Sequence, residues 1–100
     1  MITDIKVLLN VYKPVLIEYY RTQNSIQGVV IAIDANNVGW SLCNKRDKFN
    51  KEKGLFIALN RAIKSSYTSE DEVLNLSEKV PRTLRPLYLK MRRRSQLYFK

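Results

Sequence analysis

The side chains able to do chemistry are few. The chain has no histidine and one cysteine, Cys43. Without imidazole it lacks the usual general base at neutral pH and the commonest metal ligand. A single thiol makes neither a cysteine-rich zinc site nor an intrachain disulfide. Cys43 precedes Lys45 and Arg46, whose field favours a thiolate; a strand cysteine acting as a small apolar residue explains the position without reactivity. Asp34 and Asp47 are the carboxylates whose convergence with a lysine on a metal would give nuclease chemistry. Glu70, Asp71 and Glu72 follow Ser69 as in a capping box and suit the first turn of a helix better than a coordination sphere. No phosphate-cradling glycine loop, dinucleotide fingerprint, zinc-finger spacing or calcium loop is present. These residues predict a non-catalytic protein with no metal and no cofactor.

Charge is the stronger signal. The net charge is +9, from 18 basic and 9 acidic residues. It is balanced over residues 1–44, +5 over 45–64, −3 over 65–80 and +7 over 81–100, where no acidic residue occurs. Two positive segments separated by an acidic island point to an anionic partner, most simply DNA or RNA held through its phosphates. The candidate contacts are Arg85, Lys90, Arg92, Arg93 and Arg94 in the last segment. A second patch is the corner carrying Lys45, Arg46, Lys48, Lys51 and Lys53. Tyr88 and Tyr98 are the candidate stacking rings. The plainer reading of the last segment is a helix docked by Leu87, Tyr88 and Met91 with a solvated basic side.

These residues need a frame. Val38 to Cys43 reads as a short strand. It hands over through the polar corner 44–49 to a helix at about 50–65, with Leu55, Ala58, Leu59, Ala62 and Ile63 on one face. Asp47 or Asn50 caps that helix. Segments 15–21 and 28–34 are rich in β-branched and aromatic residues and read as strands. Ala35, Asn36 and Asn37 form the turn before 38–43. Ile2 to Tyr12 reads as a short helix ended by Pro14. Further helices are expected at about 69–79 and 84–98, the last capped by Thr83. The expected fold is α+β: an antiparallel meander of about three strands with helices covering one face. Trp40 is expected in the core, Gly39 at a bulge or close backbone approach, and Arg61 paired with Asp47 or Glu52.

One hundred residues make one domain, residues 81–100 being a basic helix or tail open to ordering by a partner. No apolar run reaches the roughly 18 residues of a membrane span, and the N-terminus lacks the pattern of a signal peptide. A cytoplasmic location is the expectation.

The run Gly39-Trp40-Ser41-Leu42-Cys43-Asn44, with Asp47, Phe49, Lys53-Gly54, Ile57-Ala58 and Arg61-Ala62, resembles a pattern in small, poorly characterised tailed-bacteriophage proteins. The resemblance implies a phage-encoded protein working in a bacterial host cytoplasm, on host machinery or nucleic acid. Beside the nucleic-acid binder stand two alternatives: an adaptor or inhibitor that docks on a host protein, and a small self-assembling structural component.

Overall fold

The structure, a computed structural model, describes residues 10–11, 15–23, 25–43, 48–64 and 79–99. Strands β1 (Leu16–Thr22), β2 (Ser25–Asp34) and β3 (Asn37–Leu42) form one antiparallel sheet in the order β1-β2-β3. Helices α1 (Lys51–Lys64) and α2 (Arg85–Tyr98) follow. The α+β meander expected from the sequence is present, with β2 starting earlier than residue 28. The helices expected at 2–12 and 69–79 lie almost wholly outside the described residues.

The expectation of one covered face is corrected: helices cover both. In β2 the consecutive residues Val29, Val30, Ile31 and Ala32 are all fully buried. Successive side chains on a strand point to opposite faces, so this run makes both faces apolar. Val29 and Ile31 pack on Leu55, Ala58, Leu59 and Ala62 of α1. Val30 and Ala32 pack with Val38 on Val80, Leu84, Tyr88 and Met91, at and before α2. β1 is sorted the same way, Ile17 and Tyr19 towards α1, Leu16 and Tyr20 towards α2.

Gly39 sets the distance between β3 and α1. A Cβ there would run into the Ala58 carbonyl oxygen and the Ala62 amide nitrogen, both backbone atoms. The bare glycine and two alanines let helix and strand backbones touch. Asn37 locks the same contact towards the C-terminal end of the helix, donating from Nδ2 to the Ala62 carbonyl at 2.8 Å. At the N-terminus, Asn50 is the cap: its Oδ1 accepts from the Lys53 amide at 3.0 Å. Ile63, expected inside, is 38% exposed, while Gly54 in the first turn is buried. A Cβ on Gly54 would meet the Phe49 ring, not the sheet or Trp40.

Trp40 is half-buried, which corrects its assignment to the core. β3 is an edge strand, so one side of the indole looks outward. Arg61 covers it: the guanidinium lies 3.9 Å from the ring centroid and donates to the Trp40 carbonyl at 2.9 Å. Arg61 therefore serves the β3 edge, and no pairing with Glu52 forms. Partial burial lowers its pKa from the ordinary value by desolvation. The β2–β3 turn also differs from expectation. It uses no left-handed residue; Asp34 Oδ1 accepts from the Asn36 amide at 2.8 Å instead. Thr83 does not cap α2. Leu84 occupies that position without a side-chain hydrogen bond, and the amides of Leu84 and Arg85 donate to the Pro81 carbonyl at 2.9 and 3.0 Å.

Gly39→Ala should destabilise the protein by about 3 kcal/mol or more, because backbone on both sides of the new methyl cannot rotate away. Urea unfolding measures this, and a loss under about 1 kcal/mol would contradict the contact. Arg61→Ala should remove about 1 kcal/mol through the lost ring contact and edge hydrogen bond. It should also red-shift the emission of Trp40, the chain's one tryptophan.

Candidate nucleic-acid interface

The candidate basic residues divide between two ends and faces of the sheet. On α2, the residues buried against the sheet are Tyr88, Met91 and Ser95. Tyr88 is 2% exposed, so it is a core residue, and its candidacy as a stacking ring is overturned. The helical spacing that makes it available to a base equally makes it the centre of the docked stripe. Ser95, not Leu97 or Tyr98, completes that stripe. Its hydroxyl donates to the Arg92 carbonyl at 2.8 Å and lies 3.4 Å from the Ala35 carbonyl. Tyr98 is 54% exposed, with its ring edge-on to Phe99 at 4.9 Å.

The arginines and lysine of α2 are partly engaged. Arg94 Nη1 donates to Glu18 Oε1, and Lys90 Nζ stands 3.8 Å from the same oxygen. Glu18 sits on β1, on the face that α2 covers, and its side chain is only 20% exposed. The last segment contains no carboxylate of its own, but the fold brings one to it from 76 residues away in sequence. Arg85 is half-buried and donates to the Val80 carbonyl at 3.3 Å; Arg92 is also half-buried. Arg93 is exposed on the side away from the sheet, with no carboxylate partner among the described residues. The five residues thus do not form one cationic surface.

The corner gathers its charges more closely. Lys48, Lys51 and Lys53 are exposed, and Arg21 at the end of β1 joins them. Lys48 and Lys53 line a cleft of about 580 Å³, whose walls include Ser41, Leu42, Phe49, Asn50 and Ile57. Arg21, Lys48 and Lys51 line an adjoining cleft of about 380 Å³, with Phe49 in common. Lys51 Nζ also lies 5.1 Å from the centroid of the Tyr19 ring. None of Arg21, Lys48, Lys51 or Lys53 has a carboxylate partner among the described residues. Lys45 and Arg46 belong to the same connection and lie outside the described residues, as does Asp47. Every wall of the larger cleft comes from the stretch between Ser41 and Ile57, the strand-to-helix unit that the sequence already marked.

Sequence reasoning missed Arg21 as a member and Glu18 as a neutraliser. Both sit on β1, and only the strand pairing, with Arg21 opposite Ile26 and Glu18 opposite Val30, brings them to their partners. The register slips between Tyr20 and Arg21, leaving Gln27 as an extra residue in β2. Such a bulge bends a strand end and re-aims its side chains; here it lies beside the clefts. Asp34 stands at the other end of β2, in the turn, away from the end of β3 at Leu42. No group of three or more cysteine and carboxylate side chains stands together among the described residues. Among those residues no helix is long and apolar enough to cross a membrane.

A double-mutant cycle of Glu18→Gln and Arg94→Gln should return a coupling of about 0.5 to 1 kcal/mol in urea unfolding, as for a pair only partly shielded from water. Zero coupling would mean that the Arg94–Glu18 contact adds nothing to the docking of α2. No protein-family profile, curated protein or solved structure matches the chain.

Proposed function

We propose that the protein is a non-catalytic nucleic-acid binder that grips phosphates with the corner formed by Arg21, Lys48, Lys51 and Lys53. The observation that carries this reading is the convergence of these four side chains on two adjoining clefts, without a carboxylate partner among the described residues. Unpaired cations around a concavity focus positive potential, which is what a polyanion with condensed counterions responds to. The exposed side of α2, with Arg93 as its unengaged cation, is the subsidiary contact. On this reading the protein is a phage accessory or regulatory protein of the bacterial cytoplasm.

A specific observation favours a second reading, docking on a host protein. Leu97 and Tyr98 at the end of α2 are 69% and 54% exposed, an apolar tip beside a basic helix. Aromatic and arginine side chains are frequent anchors in protein interfaces.

The test is a salt titration of binding to DNA and to RNA. Wild-type affinity should fall steeply with salt. Lys48→Ala/Lys53→Ala should flatten the log–log slope by up to about 0.9 per lost contact on duplex DNA or about 0.7 on a single strand. Arg93→Ala should change it less. No binding to either polymer at low salt sinks the reading and promotes the host-protein alternative. An unchanged slope in the double lysine variant, with a reduced one in Arg93→Ala, moves the site to α2.

A further inference from the structure

Three clefts surround one end of the sheet, and each shares a wall with the other two. The cleft beside Lys53 shares Lys48 and Phe49 with the one beside Arg21. It shares Leu42 and Cys43 with a third, of about 320 Å³, which Tyr20 and Thr83 line. The second and third meet at Gln27, the residue left over by the bulge in β2. The three depressions therefore adjoin one another around the sheet end, between the turn before α2, the end of β3 and the end of β1, and a strand laid across them follows this path. The cations stand along the part between Lys53 and Arg21. Among the described residues, the part beyond Cys43 is lined by polar and apolar side chains without charge, with Tyr20 as its ring.

Resting on the reading above, we propose that this path takes a single-stranded nucleic acid, with phosphates along the lysine side and bases entering the clefts against Phe49 and Tyr20. Two features separate a single strand from a duplex. The clefts are concave, and the largest falls within the about 300 to 1,000 Å³ of sites that enclose small ligands. A duplex keeps its bases stacked inside and presents a convex backbone, so it touches only the rims. A single strand can turn a base into such a hollow, and an aromatic wall beside a basic track is the combination that holds unpaired bases without reading their sequence. The succession of clefts also suits a linear polymer better than an isolated nucleotide, which would occupy one of them and leave the others empty.

The chain carries its own reporter. Cys43 is the single cysteine, half-buried, and sits where the first and third clefts meet. The experiment measures binding of a labelled homopyrimidine strand, as DNA and as RNA, against a duplex of equal length. It is paired with the rate at which N-ethylmaleimide alkylates Cys43. Binding of one or both single strands should exceed that of the duplex by about tenfold or more, as stacking of even one base requires. A saturating strand should slow Cys43 alkylation several-fold, and saturating duplex should leave it nearly unchanged. Lys48→Ala/Lys53→Ala should lose most of the strand affinity while keeping the wild-type circular-dichroism spectrum and unfolding midpoint, which report that the fold is intact. Duplex binding equal to or tighter than the strands, or a strand that leaves Cys43 fully reactive, overturns the inference while the phosphate-binding reading stands. A pyrimidine mononucleotide that binds as tightly as the strand overturns it in favour of a free-nucleotide site. Failure of every polymer to bind overturns both.

Discussion

The central strand is buried on both sides, and most of the structure follows from that. Four consecutive residues of β2 are removed from water, two towards each face. A three-stranded sheet with one bare apolar face would expose Val30, Ala32 and Val38 together, a loss of several kcal/mol at about 25 cal/mol per Å². Two separate helical covers are therefore required, and the chain supplies one after β3 and the other beyond residue 80. The covers differ in kind. α1 lies against backbone, held close by Gly39, Ala58 and Ala62. α2 and the turn before it meet the sheet through larger side chains, Leu84, Tyr88 and Met91.

This division of labour decides where charge can go. The stripe that docks α2 consumes Tyr88 and half-buries Arg85 and Arg92. The flank next to β1 brings Lys90 and Arg94 over Glu18, a carboxylate on the covered face. The helix with the densest run of arginines is thus partly neutralised by its own docking. On α1, Lys51 and Lys53 stay in solvent, and Lys51 lines a cleft together with Arg21. A segment's net charge counted along the sequence and the charge a surface presents are different quantities, and here the fold narrows the gap between the two basic segments by setting Glu18 against one and Arg21 beside the other.

Much of the frame was legible in the amino-acid pattern. The strand-to-helix unit at residues 38–63, the alternating faces of β1 and the α2 segment all announced themselves by periodicity. The two-sided burial was also written there: Gly28-Val29-Val30-Ile31-Ala32 shows no polar alternation, the mark of a strand covered on both faces. What stayed hidden depends on partners distant in sequence. Trp40 alternates correctly for a core position, but β3 being an edge is a property of the sheet, and Arg61 reaches it across a helix turn. Glu18 and Arg21 carry no local sign that one will quench a helix and the other complete a basic corner. The Gln27 bulge, which shapes the end of the sheet, is visible only once the register is known.

The separation of the two covers along the chain has a consequence for biogenesis. The sheet and α1 are complete at residue 64, and their mutual contacts are short in sequence, so they can assemble as soon as they leave the ribosome. Among the described residues that follow α1, those that seal the opposite face begin at Val80. In that interval Val30, Ala32 and Val38 of the nascent protein lack Val80, Leu84, Tyr88 and Met91, the partners that bury them in the finished fold, a form suited to chaperone capture or to pairing with a neighbouring nascent chain. The interval closes by a docking event across the polypeptide's longest connections, so the last helix governs both how quickly the molecule matures and how much of it is lost on the way.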